Sequence, residues 1–169
     1  MPRPVLVYAL GTMGFHIFNF VEHVYLKDRQ SDFYEMLLHH IATCSLYFCM
    51  IYGNNMGVGC MIAYLHDIAD IFANLIKCIS TTHFDKAVVP VFVLMMVTWA
   101  WTRLYVLPQI VLFIFRYDNE ELSLFVKING VFLSVLIFLH FFWFSLFIKM
   151  LYVKARTGVA EDIQNAKKE

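Results

Sequence analysis

Two short runs decide how this chain must be read: Asp32-Phe33-Tyr34-Glu35-Met36-Leu37-Leu38-His39-His40 and, twenty-six residues later, His66-Asp67-Ile68-Ala69-Asp70. Both lie inside stretches apolar enough to cross a bilayer. A charged side chain at mid-membrane costs about 2.5 to 3.5 kcal/mol even on the mildest scale, so such groups belong in a cavity or a reaction site and not against lipid.

Working outward from these runs, 60% of the 169 residues are hydrophobic, 17% aromatic and 15% charged, and the mean hydropathy is +0.65, which describes a polytopic membrane protein. The formal net charge is zero, so no basic face is available for nucleic acid. Cys44, Cys49, Cys60 and Cys78 all fall in apolar stretches without Cys-x-x-Cys spacing. They read as small apolar side chains, not as a disulfide framework or a zinc site. The first apolar run is too long for a cleavable signal core and reads as a helix that stays.

Turn and charge signals predict an all-α fold, a membrane helix bundle of five spans: Val5–Leu26, Phe33–Tyr52, Met56–Ile79, Val88–Phe115 and Phe125–Val153. Each reaches the roughly 20 residues that a crossing needs. In the fourth, Pro90 and Pro108 suggest that the crossing occupies Val88–Leu107 and that the remainder kinks toward the interface. The breaks fall at Lys27–Asp32, Gly53–Asn55, Ser80–Lys86 and Arg116–Glu121. The domain plan is therefore a membrane domain over 1–153 and a polar, mobile tail over 154–169.

Five crossings put Lys27, Arg29, Lys77, Lys86, Lys149, Lys154 and Arg156 on one side, against Arg3, Arg116 and Lys127 on the other. By the positive-inside rule the first side, with the C-terminus, is cytosolic. His39 follows Asp32 by seven residues and Asp70 precedes Lys77 by seven, on antiparallel helices. Both then lie roughly 10 Å below the cytosolic face. At about 100° per residue, His66, Asp67, Asp70, Asn74 and Lys77 share one arc of the third span, and Glu35, His39 and Thr43 form a stripe on the second. His40 is turned away from His39, so one imidazole enters the cavity and the other meets a neighbouring helix.

Imidazole serves as a nucleophile or general base near neutral pH. A carboxylate on its second nitrogen fixes the tautomer. Acyl transfer fits this set: a histidine attacks a thioester or activates an amine, while an aspartate orients it or takes up the amine proton. Two rivals were weighed. A di-iron membrane hydroxylase needs repeated His-x-x-His-His clusters, whereas His39-His40 stands alone, so no metal is expected. A structural polar network is the other.

The run Asp32–Thr43, with Asn54, Gly59, Leu65-His66-Asp67-Ile68-Ala69-Asp70 and Lys77, resembles the Lag1 motif of ceramide synthases within the TRAM-LAG1-CLN8 (TLC) domain family. Thr102-Arg103-Leu104 with Pro108, Leu139-His140 with Phe142-Trp143-Phe144, and Ala160-Glu161-Asp162-Ile163 resemble its later part. The resemblance implies a six-helix barrel, part of which this chain supplies, in a multi-pass protein of the endoplasmic reticulum. It implies an acyltransferase that joins a fatty acyl-CoA to a sphingoid base, giving (dihydro)ceramide. No cofactor beyond the acyl-CoA co-substrate is implied, and a homo- or heterodimer is compatible with it. By motif, His39, His40, Asp67 and Asp70 would be catalytic. His66, Glu35, Thr43, Asn74, Lys77, Arg103 and His140 would bind or support; Arg103 would meet CoA phosphates or a cavity carboxylate, and His140 reads equally as a packing residue.

The chain departs from the family pattern at Met50-Ile51, Gly57 and Asn74. These positions bear on substrate preference more than on reaction type. Two spans that precede the Val5 region in the family have no counterpart here. The expectation is a gene model that starts late, whose full-length product is active while the 169-residue form is not. The alternative function is a non-catalytic TLC protein that binds lipid or assists translocation.

Overall fold

A computed structural model of the chain describes residues 3–26, 32–80, 85–116 and 124–157. The elements are α1 (Arg3–Tyr25), α2 (Phe33–Tyr52), α3 (Met56–Ser80), α4 (Asp85–Trp99), a π-helical segment (Ala100–Val106), α5 (Leu107–Arg116) and α6 (Leu124–Thr157). No strand occurs among the described residues. The all-α reading holds, and the helices follow the five expected spans. The Ala160–Ile163 resemblance and residues 158–169 of the tail expected over 154–169 lie outside the described residues, as do 1–2, 27–31, 81–84 and 117–123.

Among the described residues, four stretches are long and apolar enough to cross a membrane: Arg3–Tyr25, Met56–Ser80, Ala87–Arg116 and Leu124–Arg156. The fifth expected crossing, α2, has only 20 residues, and Glu35, His39 and His40 make it too polar to qualify by composition. It packs between its neighbours all the same. The most extensive contacts between helices are those of α1 with α2, α2 with α6, α6 with α5, and α4 with α3. The order around the bundle is therefore α1, α2, α6, the α4–π–α5 span, and α3.

Three apolar clusters hold this ring. Ala42, Ala69, Trp99, Leu136, Leu139 and Trp143 form the largest. Ala9, Tyr47, Met50 and Met56 join α1 to the α2–α3 hairpin, and Leu107, Val111 and Leu133 join α5 to α6. Alanine at three of these contacts lets the backbones approach closely, which is how helices associate where lipid is as apolar as leucine. The outward faces, such as Val7, Phe15 and Phe18 on α1 and Phe138 and Phe141 on α6, are exposed and suit a lipid environment.

Two local features position the site. The α2–α3 turn is closed by Gly53 N–H donating to Cys49 O (2.8 Å) and Asn55 N–H to Met50 O (3.1 Å), with Asn54 in the left-handed region at φ 53°. Asparagine tolerates that conformation better than most residues. A Cβ on Gly53 would fall 2.8 Å from Phe125 Cβ, so only glycine lets the turn seat against the start of α6.

The second feature concerns the fourth span, which stays helical past Leu107. It continues as helix to Arg116 through the π segment, where the Leu107 N–H donates to Thr102 O, five residues back. Pro108 follows at once; it has no N–H for the carbonyl four residues earlier, and its ring crowds that carbonyl. Widening the preceding turn lets the helix carry the proline without breaking. At the other end, α6 runs to Thr157, a turn beyond the expected Val153.

Candidate active site

One cavity of about 870 Å³ runs between the helices, within the size range of small-molecule sites. Every span contributes to its wall: His16 from α1, His39 and Thr43 from α2, His66, Asp67 and Asp70 from α3, Arg103 from the π segment, and Trp143 from α6. The two sequence clusters thus meet, as their matching depth required. α2 and α3 touch near their turn, where Gly59 packs on Met50, and the cavity lies between them further along.

The two adjacent histidines separate. His39 lines the cavity with its ring 5.4 Å from the Trp143 ring, edge to face. It forms no hydrogen bond among the described residues, and its buried Nδ1 is without a partner. His40 faces away, against α1, with its ring 5.3 Å from that of His23 and 6.3 Å from Phe20. His23 Nε2–H in turn donates to Phe33 O at 3.0 Å. A single residue step along α2, about 100°, divides a cavity residue from a packing residue.

His66 and His140 form a fixed chain. A carbonyl can only accept, so His66 Nδ1–H donates to Ile62 O at 2.8 Å. The neutral ring then has a bare Nε2, which accepts from His140 Nε2–H at 3.0 Å. His140 is fully buried, its Nδ1 has no partner, and its carbonyl receives Trp99 Nε1–H at 3.4 Å. With both nitrogens of His66 engaged, His39 is a cavity imidazole open to a ligand, and His16 of α1 also lines the wall.

Arg103 is buried and joins the other elements. Its Nη2 donates to Asp70 Oδ1 at 2.5 Å and to His66 O at 2.8 Å, and its guanidinium lies 3.8 Å from the centroid of Trp99. Of the two expected roles, pairing with a cavity carboxylate is the one the structure displays. Asp67 is exposed at the α1 side and reaches the Tyr8 hydroxyl, which donates to Oδ2 at 3.4 Å. Neither aspartate is hydrogen-bonded to His39. The expected carboxylate that orients the imidazole is thus absent here, because the cavity itself separates α2 from that stretch of α3.

Glu35, Asn74 and Lys77 are not part of the cavity wall. Asn74 and Lys77 are exposed beyond Asp70, and Glu35 is half-buried one turn before His39, outside the wall. The polar arc of α3 therefore continues past the cavity into an exposed stretch. Sequence reasoning missed His16, whose ring lies 5.1 Å from Tyr47. The same cost of placing an ionisable group within a span marked it, but it stands alone and not in a cluster. Gln109, Asn55 and Asn129 on the wall were also missed, being neutral and isolated. No group of three or more His, Cys, Asp or Glu residues that could hold a metal exists among the described residues.

This arrangement defines a membrane helix bundle around a cavity lined by imidazoles and by three carboxylates, Asp32, Asp67 and Asp70. The chain belongs to the TLC domain family, whose model matches residues 2–149. It is 27% identical to ceramide synthase hyl-2 of Caenorhabditis elegans, over 97% of this chain and 54% of that protein. It is 26% identical to ceramide synthase 4 of Mus musculus, over 81% of this chain and 36% of that protein. With ceramide synthase LOH2 of Arabidopsis thaliana it shares 24% identity, over 95% of this chain and 58% of that protein. The chain thus spans about half the length of the curated relatives it matches. No solved structure matches it.

Proposed function

We propose that this chain carries the acyl-transfer site of a ceramide synthase, joining the acyl group of a fatty acyl-CoA to the amine of a sphingoid base. The observation that carries the reading is His39: an imidazole without a hydrogen-bond partner, in a cavity shared with Asp67 and Asp70, in a TLC chain whose relatives bear that name.

In this mechanism the thioester carbonyl lies against His39. The imidazole nitrogen attacks it, the carbon–sulfur bond breaks, and CoA leaves as the thiol after taking a proton. The amine of the second substrate then attacks the acyl-imidazole, the amide forms, and His39 is regenerated. Asp67, free of any cation contact in the site, takes up the amine proton. Asp70 is engaged by Arg103, so its part is to fix the guanidinium and the α3 backbone at His66. His40 acts as a support that holds α2 against α1. The setting is the endoplasmic-reticulum membrane with the C-terminus cytosolic, in accord with the charge bias of the loops.

Cells lacking ceramide synthase provide the test. The gene product extended by the family's upstream helices should restore ceramide measured by mass spectrometry, while His39→Ala and Asp67→Ala in the same background should not. Equal rescue by the variants removes the catalytic assignment. Iron in the purified protein together with oxygen consumption would replace it by a hydroxylase.

A further inference from the structure

The cavity has two polar ends and an apolar middle. One end holds His39 and the Asp70–Arg103 pair; the other lies at the α2–α3 turn, where Asn55 and Asn129 line the wall. Asn55 Nδ2 and Asn129 Oδ1 are both buried, and neither has a hydrogen-bond partner. Between the ends the wall is mainly apolar, with Leu46, Met50, Ile62, Phe113, Leu133 and Leu136, and its polar members there are Thr43 and Tyr47 of α2. A bare amide donor and a bare amide acceptor at the foot of an apolar shaft tolerate water but are disfavoured against hydrocarbon.

The depth of the shaft follows from α6. Trp143 contacts His39 at one end and Asn129 lies at the other. The fourteen residues between them rise about 21 Å, roughly the reach of an extended sixteen-carbon chain. The floor is also fixed in place: Asn55 is tied by its N–H to Met50 O, and Gly53 seats the turn on Phe125.

We propose that Asn55 and Asn129 form a polar floor that limits the hydrocarbon tail the cavity accepts to about sixteen carbons, with the head of the chain at His39. Placement of the head rests on the acyl-transfer reading; the floor itself does not. Each methylene buried in an apolar wall strengthens binding about fourfold. That gain should stop where the chain end reaches the two amides.

The test uses the purified chain in mild detergent and acyl-CoAs of 12 to 20 carbons displacing a fluorescent fatty acid. The quantity read is the ratio of variant to wild-type affinity at each length, in which partition into the micelle cancels. Asn129→Leu should leave this ratio near one up to 14 carbons and raise it with length beyond 16, by up to about fourfold per added methylene, as those methylenes gain an apolar contact. Asn55→Leu should act in the same direction, and Asn129→Asp should weaken only the long chains. A ratio that is flat with length in Asn129→Leu and Asn55→Leu overturns the floor. So does tighter binding of an ω-hydroxy chain by the wild type that is lost in Asn129→Leu, which would make the floor a hydroxyl site. A flat ratio in a protein that forms ceramide leaves the acyl-transfer reading intact, and a length-dependent ratio without ceramide formation does the reverse.

Discussion

Arg103 offers the most direct test of how the site is held. Its side chain is 5% exposed and that of its partner Asp70 is 52% exposed, so the pair is neither fully buried nor solvated. Exposed pairs contribute about 0.2 to 1 kcal/mol, and removing one partner of a fully buried pair costs about 3 to 5 kcal/mol. A half-exposed pair lies between, and about 1.5 kcal/mol is a reasonable coupling. Stacking of the guanidinium on Trp99 at 3.8 Å adds up to about 2 kcal/mol in a desolvated setting. Arg103→Met keeps the stem volume and should therefore destabilise by about 3 kcal/mol, and Asp70→Asn alone by about 1.5 kcal/mol. On the Arg103→Met background, Asp70→Asn should cost almost nothing, since the charge it removes no longer has a partner. Reversible unfolding in mixed micelles, followed by tryptophan fluorescence across this double-mutant cycle, gives the coupling. Additive effects, within about 0.5 kcal/mol, would refute the pairing and leave Arg103 a packing residue.

Three further outcomes follow from contacts elsewhere in the bundle. A Cβ on Gly59 would run into the Met50 side chain, so Gly59→Ala should destabilise by about 1 to 3 kcal/mol in the same unfolding assay. Adding Met50→Ala should recover part of that loss; no recovery would show that the helix contact lies elsewhere. His140→Phe removes the donor to His66 Nε2 and leaves it buried and unpaired, at about 1 to 3 kcal/mol, whereas a neutral result would mean that the two rings are not bonded. A small imidazole-acylating reagent should modify His39 well before His40, as read by peptide mass spectrometry, because only His39 borders the cavity; equal rates would contradict their opposite placement.

The convergence of the two clusters was legible because an ionisable residue in an apolar span has few places to go, whereas the order of the helices around the bundle was not. The roughly 100° offset between His39 and His40 was likewise enough to send them to different neighbours. Partners across helices were not legible. The His66–His140 bond and the Arg103–Asp70 pair join residues 74 and 33 positions apart, and nothing local records such contacts. Asn74 and Lys77 were assigned by periodicity alone, which gives the face of a helix but not where along it a cavity ends. Pro108 was read as a kink toward the interface because an α-helix was assumed around it.

That assumption points to a consequence of the π segment. A stretch in which N–H groups reach five residues back behaves as an α-helix that has accepted one inserted residue, so α4 and α5 are out of phase with each other by about one position. Arg103 sits inside the insertion. Deleting a single residue between Ala100 and Val106 is thus the smallest genetic change expected to close the wide turn and swing the guanidinium off Asp70 while leaving α3 untouched. Alignments that force this span into an ungapped helix will mismatch every residue on one side of it.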